Sequence, residues 1–299
     1  MVICLGLWYN NGYDIKKRGN DMNIIDAIYN LVNNPAVQLV EHYNARNRAN
    51  NAGDALEEYI KDLFSNSFDM RETEKLEKWN EVFSYLGNDS NPPDAMLRGG
   101  DAIEVKKIES DNSALALNSS SPKHTLRADS QMISTACRNA EEWTEKDMIY
   151  SVGVVKNNQL KHLCFVYGLD YCASDECYSR IKQTIKNGVE SIAGVELAET
   201  KELGRINRVD PLGITYLRVR GMWGIDNPWN VFSYVYQRDM HKTFNFMCII
   251  NENKWNTFNN TSLLSEITDT RFSIQDIRIK NPDNPANLIN AKLITYTID

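Results

Sequence analysis

Between Asn91 and Glu109 the chain reads Asn-Pro-Pro-Asp-Ala-Met-Leu-Arg-Gly-Gly-Asp-Ala-Ile-Glu-Val-Lys-Lys-Ile-Glu, and no other stretch restricts the fold as much. Two short runs flank Gly99-Gly100, the pattern of a β-hairpin. Side chains alternate faces along a strand, so Ile103 and Val105 point one way while Glu104 and Lys106 point the other. An acid and an amine thus stand side by side on a strand whose opposite face is apolar. A two-residue Gly99-Gly100 loop would pair Leu97 with Ala102 and set Asp94 opposite Val105, on the apolar face. A three-residue loop, Gly99-Gly100-Asp101, pairs Leu97 with Ile103, Ala95 with Val105 and Asp94 with Lys106. This second register is the expected one, because it keeps apolar residues together and gathers Asp94, Glu104 and Lys106 on one face.

Two converging carboxylates suit a hard cation such as Mg²⁺, which prefers oxygen ligands and keeps several waters. A lysine beside them can orient or help deprotonate a water and offset charge on a phosphate oxygen. Together with a metal that polarises the phosphoryl group, these parts hydrolyse a phosphodiester. The competing reading is a salt-bridge ladder on a solvated hairpin face.

The trio resembles the PD-(D/E)xK nuclease superfamily, with Pro93-Asp94 followed by Glu104-Val105-Lys106 on the second hairpin strand. A preceding helix carries Gly53-Asp54-Ala55-Leu56-Glu57, a G-x-x-x-E arrangement that in this superfamily often brings a further acid near the metal. The resemblance therefore makes Glu57 a metal candidate beside Asp94 and Glu104. Arg46-Asn47-Arg48-Ala49-Asn50, the run Asp101–Glu109, and Ala116-Leu117-Asn118-Ser119-Ser120 with Pro122-Lys123 are similar to type II restriction endonucleases of a subgroup cutting GGCC-type palindromes. The likeness covers roughly Met22 to Arg138. It implies Mg²⁺, double-stranded DNA as substrate, 5′-phosphate and 3′-hydroxyl ends, and a homodimer matching a two-fold symmetric site. Two rivals share the same residues: a PD-(D/E)xK nuclease of repair or recombination that recognises DNA structure, and a non-catalytic DNA-binding or scaffold protein.

Amphipathic spacing begins at once after Met22-Asn23 (Ile24, Ile25, Ile28, Leu31, Val32) and recurs over Ala55–Phe64, giving a helical section to about Leu86. After the hairpin the pattern predicts a helix near Ser130–Trp143 and strands at Met148–Val155 and Leu163–Leu169. A helix with Tyr178, Ile181 and Ile185 on one face is expected to end at Asn187-Gly188. Strands are expected at Ile214–Arg220, Val231–Tyr236, Phe246–Ile250 and Ala291–Ile298. The order implies an α/β fold, a mixed central sheet flanked by helices with a C-terminal elaboration. Residues 1–21 read as a dispensable extension before a single endonuclease domain, 22–299. Within it the catalytic core spans about 45–175 and DNA recognition about 200–299.

A net charge of −7 speaks neither for nor against DNA, because a local basic strip can still bind phosphates. Arg205, Arg208, Arg218 and Arg220 face a single aspartate in their stretch, and Tyr216, Arg218 and Arg220 share one strand face. Asn118, Ser119, Ser120 and Lys123 follow the catalytic strand, and Arg46 and Arg48 precede the first candidate acid helix. All of these are candidate DNA contacts, whereas Lys107 and Glu109 read as structural. The four histidines are scattered, which leaves a histidine-based nuclease mechanism without support. Six cysteines show no paired framework and no apolar run nears the roughly 20 residues of a membrane span, so a cytoplasmic protein with reduced thiols is expected.

Overall fold

The computed structural model describes residues 22–44, 52–88, 90–200 and 202–299. Residues 1–21, and with them the expected extension, lie outside the described residues, as do Arg46 and Arg48. Helix α1 (Ile24–Asn33) starts where its cap dictates: the Asn23 side chain accepts from the Ile25 amide, and Asp26 accepts from the Asn23 amide. Helices α2 (Leu39–Asn44), α3 (Ala52–Ser65) and α4 (Glu72–Val82) complete the N-terminal layer. A buried lysine ties three of them together. Lys75 of α4 lies 2.6 Å from both Glu58 and Asp62 of α3, and Asp62 accepts from the Tyr43 hydroxyl of α2.

The strands in chain order are β1 (Phe83–Tyr85), β2 (Ala95–Leu97), β3 (Ala102–Ile108), β4 (Leu115–Asn118), β5 (Thr125–Arg127), β6 (Glu145–Lys156) and β7 (Gln159–Tyr167). They continue with β8 (Glu196–Leu197), β9 (Gly204–Asn207), β10 (Leu217–Val219), β11 (Trp223–Ile225), β12 (Phe244–Asn251), β13 (Phe272–Lys280) and β14 (Leu288–Ile298). Among the described residues, nine strands form one sheet in the order β1-β2-β3-β6-β7-β12-β14-β13, with β5 added to the start of β6. β3 runs parallel to β6 and β7 parallel to β12, while the other pairings are antiparallel. This is the expected mixed α/β sheet. Strands from the last third complete the sheet that carries the hairpin, and β8–β10 form a separate three-stranded sheet beside it.

Alternation divides the core in two. Ala95, Leu97, Ile103 and Val105 pack toward the helices with Leu56, Tyr59 and Phe64. Met96, Ala102 and Ile108 face the other side, with Val152, Trp229 and Phe232.

Four expected elements differ. The stretch Ser130–Trp143 holds one helical turn, α5 (Thr135–Arg138), capped by Ser134; the Arg138 guanidinium bonds the Ala128 and Ser130 carbonyls and fixes the rest as loop. After the short helix α6 (Gly168–Tyr171), helix α7 (Asp175–Glu190) runs through Asn187-Gly188 and ends at Ser191. Val231–Tyr236 is not a strand. Asn227 caps a helical turn at Pro228–Val231, so Trp229 and Phe232, three apart, enter the core together. The expected strand Ile214–Arg220 shortens to β10, with Ile214 and Tyr216 exposed.

Candidate active site

The hairpin register differs from the expected one. Ala95 pairs with Ile103 and Met96 with Ala102, two positions from the register expected above. The loop is Arg98-Gly99-Gly100: Leu97 donates to the Asp101 carbonyl at 2.9 Å, and Gly99 takes φ +66°. Asp101 is drawn out of the turn because its carboxylate is buried against the Tyr167 hydroxyl and Lys254, each at 2.7 Å. Those partners are remote in sequence, so nothing local announced them. A slip of two leaves every side chain on its face, so the trio still shares one side. A slip of one would turn Leu97, Ile103 and Val105 outward, at about 1.5–3 kcal/mol each. No surface ion pair, at roughly 0–1 kcal/mol, could offset that.

The hairpin tip is held from three directions. Lys146, 7% exposed, donates to the Leu97 and Gly100 carbonyls and pairs with Glu141. Glu141 also accepts from the Gly99 amide at 2.9 Å, and Arg98 bonds the Asn80 and Phe83 carbonyls at the end of α4. Asp94 follows a cis Pro92-Pro93 bond. Gly87, at φ +82°, lies so close to Asp94 that a Cβ there would stand 2.4 Å from the Asp94 carbonyl oxygen.

On the polar face, Asp94 Oδ2 accepts from the Val105 amide at 2.6 Å, and Lys106 Nζ donates to Glu104 Oε1 at 2.6 Å. The other carboxylate oxygen, Glu104 Oε2, is buried and has no partner. Burial, reinforced by the charge of Asp94, pushes the Glu104 carboxyl up to about 7 against the pull of Lys106 and Lys123. Burial likewise raises Asp94, although Lys106, the Val105 amide and Lys61 oppose it. Burial works against the Lys106 ammonium, but Glu104 and Asp94 outweigh it and hold Lys106 above its ordinary value. Two desolvated acids stand side by side, and one carboxylate oxygen of Glu104 is buried with no partner. Asp94 and Glu104 therefore fit a hard divalent cation.

Glu57 of α3 is half-buried; burial and Asp94 raise its carboxyl, while Lys61 and Lys106 lower it. It thus stands within electrostatic reach of the trio. Among the described residues, however, no three acidic, histidine or cysteine side chains converge as a metal-binding group.

Two lysines near the acids were not read as parts of this cluster. Lys61, one turn after Glu57, lies 3.9 Å from it; the i,i+4 spacing along the face of Glu57 was the available signal. Lys123, expected as a DNA contact, is held next to Glu104. Its amide donates to the hydroxyl of Tyr150 at 2.7 Å, and Tyr150 pairs across from Glu104 on β6. Burial lowers Lys123 against the attraction of Asp175 and Glu104.

The remaining candidates are spread out. A cavity of about 290 Å³ beside the site is lined by Ser121, Lys123, Arg127, Tyr178, Lys182 and Trp223. Asn118 pairs with Trp223 across β4 and β11, Ser119 is exposed, and the Ser120 hydroxyl is buried without a partner. Arg205 stacks on Tyr216 at 5.3 Å, Arg208 pairs with Glu196 at 3.4 Å, and Arg218 and Arg220 both bond Glu202. Lys107 pairs with Glu109 at 2.8 Å, as structural residues do. The 710 Å³ cavity at Asp147, Asp170, Lys254 and Asn290 contains none of the expected site residues. No described helix is long and apolar enough to cross a membrane.

The profile of a family described as NgoPII restriction endonuclease matches residues 22–280. The chain is also 66% identical over 276 residues to the type II restriction enzyme NgoPII of Neisseria gonorrhoeae, covering 92% of this chain and 99% of that protein. No solved structure matches it at a significant level. With a profile match over most of its length and a relative this similar, the chain belongs to the NgoPII restriction endonuclease family.

Proposed function

We propose that this restriction endonuclease hydrolyses both strands of a short GC-rich palindrome in double-stranded DNA, with Mg²⁺, as a homodimer, leaving 5′-phosphate and 3′-hydroxyl ends. The observation that carries the reading is the Glu104 carboxylate, half engaged by Lys106 and half without a partner, beside a second desolvated acid. Asp94 and Glu104 would hold the metal, and Glu57 would add charge from α3. A bound Mg²⁺ supplies an electrophile for the phosphoryl oxygen and a more acidic water. The chain's own groups do the rest. Lys106 Nζ, kept protonated by the two acids, donates toward the attacking water or the phosphate oxygen and offsets charge there. The Val105 amide keeps Asp94 turned into the site. Lys123 sets a second cation within electrostatic reach of Glu104, where it would meet the backbone of the cut strand. Arg46, Arg48, Asn118, Ser119, Ser120, Arg205, Arg208, Tyr216, Arg218 and Arg220 are proposed to meet phosphates or bases.

The test is plasmid DNA incubated with the full chain and Mg²⁺, followed by sequencing of fragment ends. Discrete fragments sharing one GC-rich palindrome are expected, with cutting abolished by a chelator and restored by added Mg²⁺. Cleavage confined to junctions, flaps or free ends would overturn the reading.

A further inference from the structure

Arg218 and Arg220 carry like charges two residues apart, yet their guanidinium groups meet on one acid. Strand pairing brings that acid to them: Leu203 donates to the Val219 carbonyl at 3.0 Å, and Arg218 pairs with Arg205 across β9. Glu202 is thereby left at the end of β10, its own amide fixed to the Thr200 hydroxyl at 3.1 Å. The two arginines use it differently. Arg218 spends a whole fork on it, Nε to Oε2 at 2.9 Å and Nη2 to Oε1 at 2.6 Å. Arg220 gives only Nε, to Oε1, which leaves the donors of both terminal nitrogens uncommitted to Glu202.

Position separates the two arginines again. Arg220 and Glu202 line a cavity of about 140 Å³ with Asn91, Ser119, Lys182 and Trp223, whereas Arg218 lies outside it. Lys182 and Trp223 also line the cavity that holds Lys123, so the two cavities adjoin. Asn91 stands three residues before Asp94.

We propose that this pocket is a subsite for the major-groove edge of a guanine, read by Arg220, with Glu202 as the positioning residue and Arg218 as the brace that holds Glu202. The inference rests on the reading of the chain as a sequence-specific nuclease. A guanidinium with a free pair of donors matches O6 and N7 of guanine, and no other base presents two acceptors there. Glu202 contributes twice. It fixes the plane of Arg220 before DNA arrives, and its charge cancels part of the attraction of both arginines for any phosphate. An exposed pair of this kind is weak enough to adjust on binding. This division assigns one of two apparently equivalent arginines to reading and the other to support.

The test uses the full chain, a duplex bearing the site that the wild-type enzyme cuts, and a random duplex of equal length. Binding is measured over a range of salt. Arg220→Ala is expected to weaken the cognate duplex roughly 5- to 150-fold while leaving the salt slope unchanged. Glu202→Gln is expected to tighten the random duplex and steepen its salt dependence by about one ion, so the cognate-to-random ratio falls. Glu202→Asp should keep more of that ratio than Glu202→Gln. Replacing each guanine of the site in turn by 7-deazaguanine removes N7 alone. One such position should penalise the wild type and add no further penalty to Arg220→Ala. A full penalty at every position in that variant, or a larger loss of selectivity in Arg218→Ala than in Arg220→Ala, would overturn the assignment. A wild-type enzyme that binds both duplexes equally would remove the underlying reading, and the subsite with it.

Discussion

The hairpin that carries Asp94, Glu104 and Lys106 and the small β8–β10 sheet both present charged side chains, but they hold them in opposite ways. At the hairpin the charges of the candidate site are half or wholly buried and answered by a specific partner, Asp94 by the Val105 amide and Glu104 by Lys106, and at the tip Lys146 of β6 is answered by Glu141 and two carbonyls. In the small sheet Arg208 is exposed and paired at 3.4 Å, and Arg218 and Arg220 share a carboxylate at the surface. The apolar residues follow the same division. Ala95, Met96, Leu97 and Ile103 are at most 2% exposed, whereas Leu212, Ile214 and Tyr216 are exposed by 60% or more. Hydrolysis of a phosphodiester is the same reaction at every site in DNA, so its groups gain from being fixed in advance. Contact with a particular sequence needs surface that DNA can reach and cover.

The largest expected effect lies in the hairpin. Lys106→Ala is expected to lower single-turnover cleavage on the order of 10³-fold. Cognate binding measured without metal should stay within a few-fold, and near wild-type cutting would remove the lysine from the mechanism. Lys146→Met comes next. It leaves Glu141 without its cation and two carbonyls unanswered under the hairpin tip, and should cost about 3–5 kcal/mol in urea unfolding. A cost below about 1 kcal/mol would show that the hairpin is no more tightly held than the small sheet.

Arg208→Ala sharpens the other side. Its unfolding free energy should change by no more than about 0.5 kcal/mol, while the salt slope of DNA binding flattens by about one ion if the residue meets a phosphate. An unchanged slope would leave Arg208 without a role in binding. Smallest of all is removal of residues 1–21, expected to alter neither cleavage nor unfolding. A fall in either would make that segment part of the working enzyme.

Much of the hairpin was legible because its code is local. Alternation set the faces of Ile103, Glu104, Val105 and Lys106 without any knowledge of the rest of the chain. The register was not fully legible, since the residue that decides it, Asp101, answers to Tyr167 and Lys254. The resemblance to GGCC-cutting restriction enzymes pointed to the right family, and family membership now sets aside the repair and non-catalytic readings. The failures cluster where side chains act through distant partners. Val231–Tyr236 alternates well enough for a strand, but Asn227 and Pro228 start a helical turn that seats Trp229 and Phe232. β13 went unseen because an edge strand with Gln275, Asp276 and Arg278 exposed carries little apolar signal. Glu202 carries no local signal, because only the pairing of β9 with β10 brings it to Arg218 and Arg220.

The ladder between β4 and β11 has a consequence in time. Hairpin partners such as Ala95 and Ile103 are a few residues apart, whereas Asn118 pairs with Trp223 after a gap of roughly a hundred residues. Closing the longer loop costs about 2 kcal/mol more chain entropy, and it must wait until β11 has been synthesised. The groove wall that carries Ser119 is therefore joined to the wall that carries Arg220 late in the making of the chain. A nascent chain can pair β2 with β3 and β3 with β6 while the ladder of β4 with β11 still lacks one strand. The hairpin waits as well, because Lys254, which anchors Asp101 beside its tip, is made after β11, so the last third of the chain completes both the hairpin and the pocket wall.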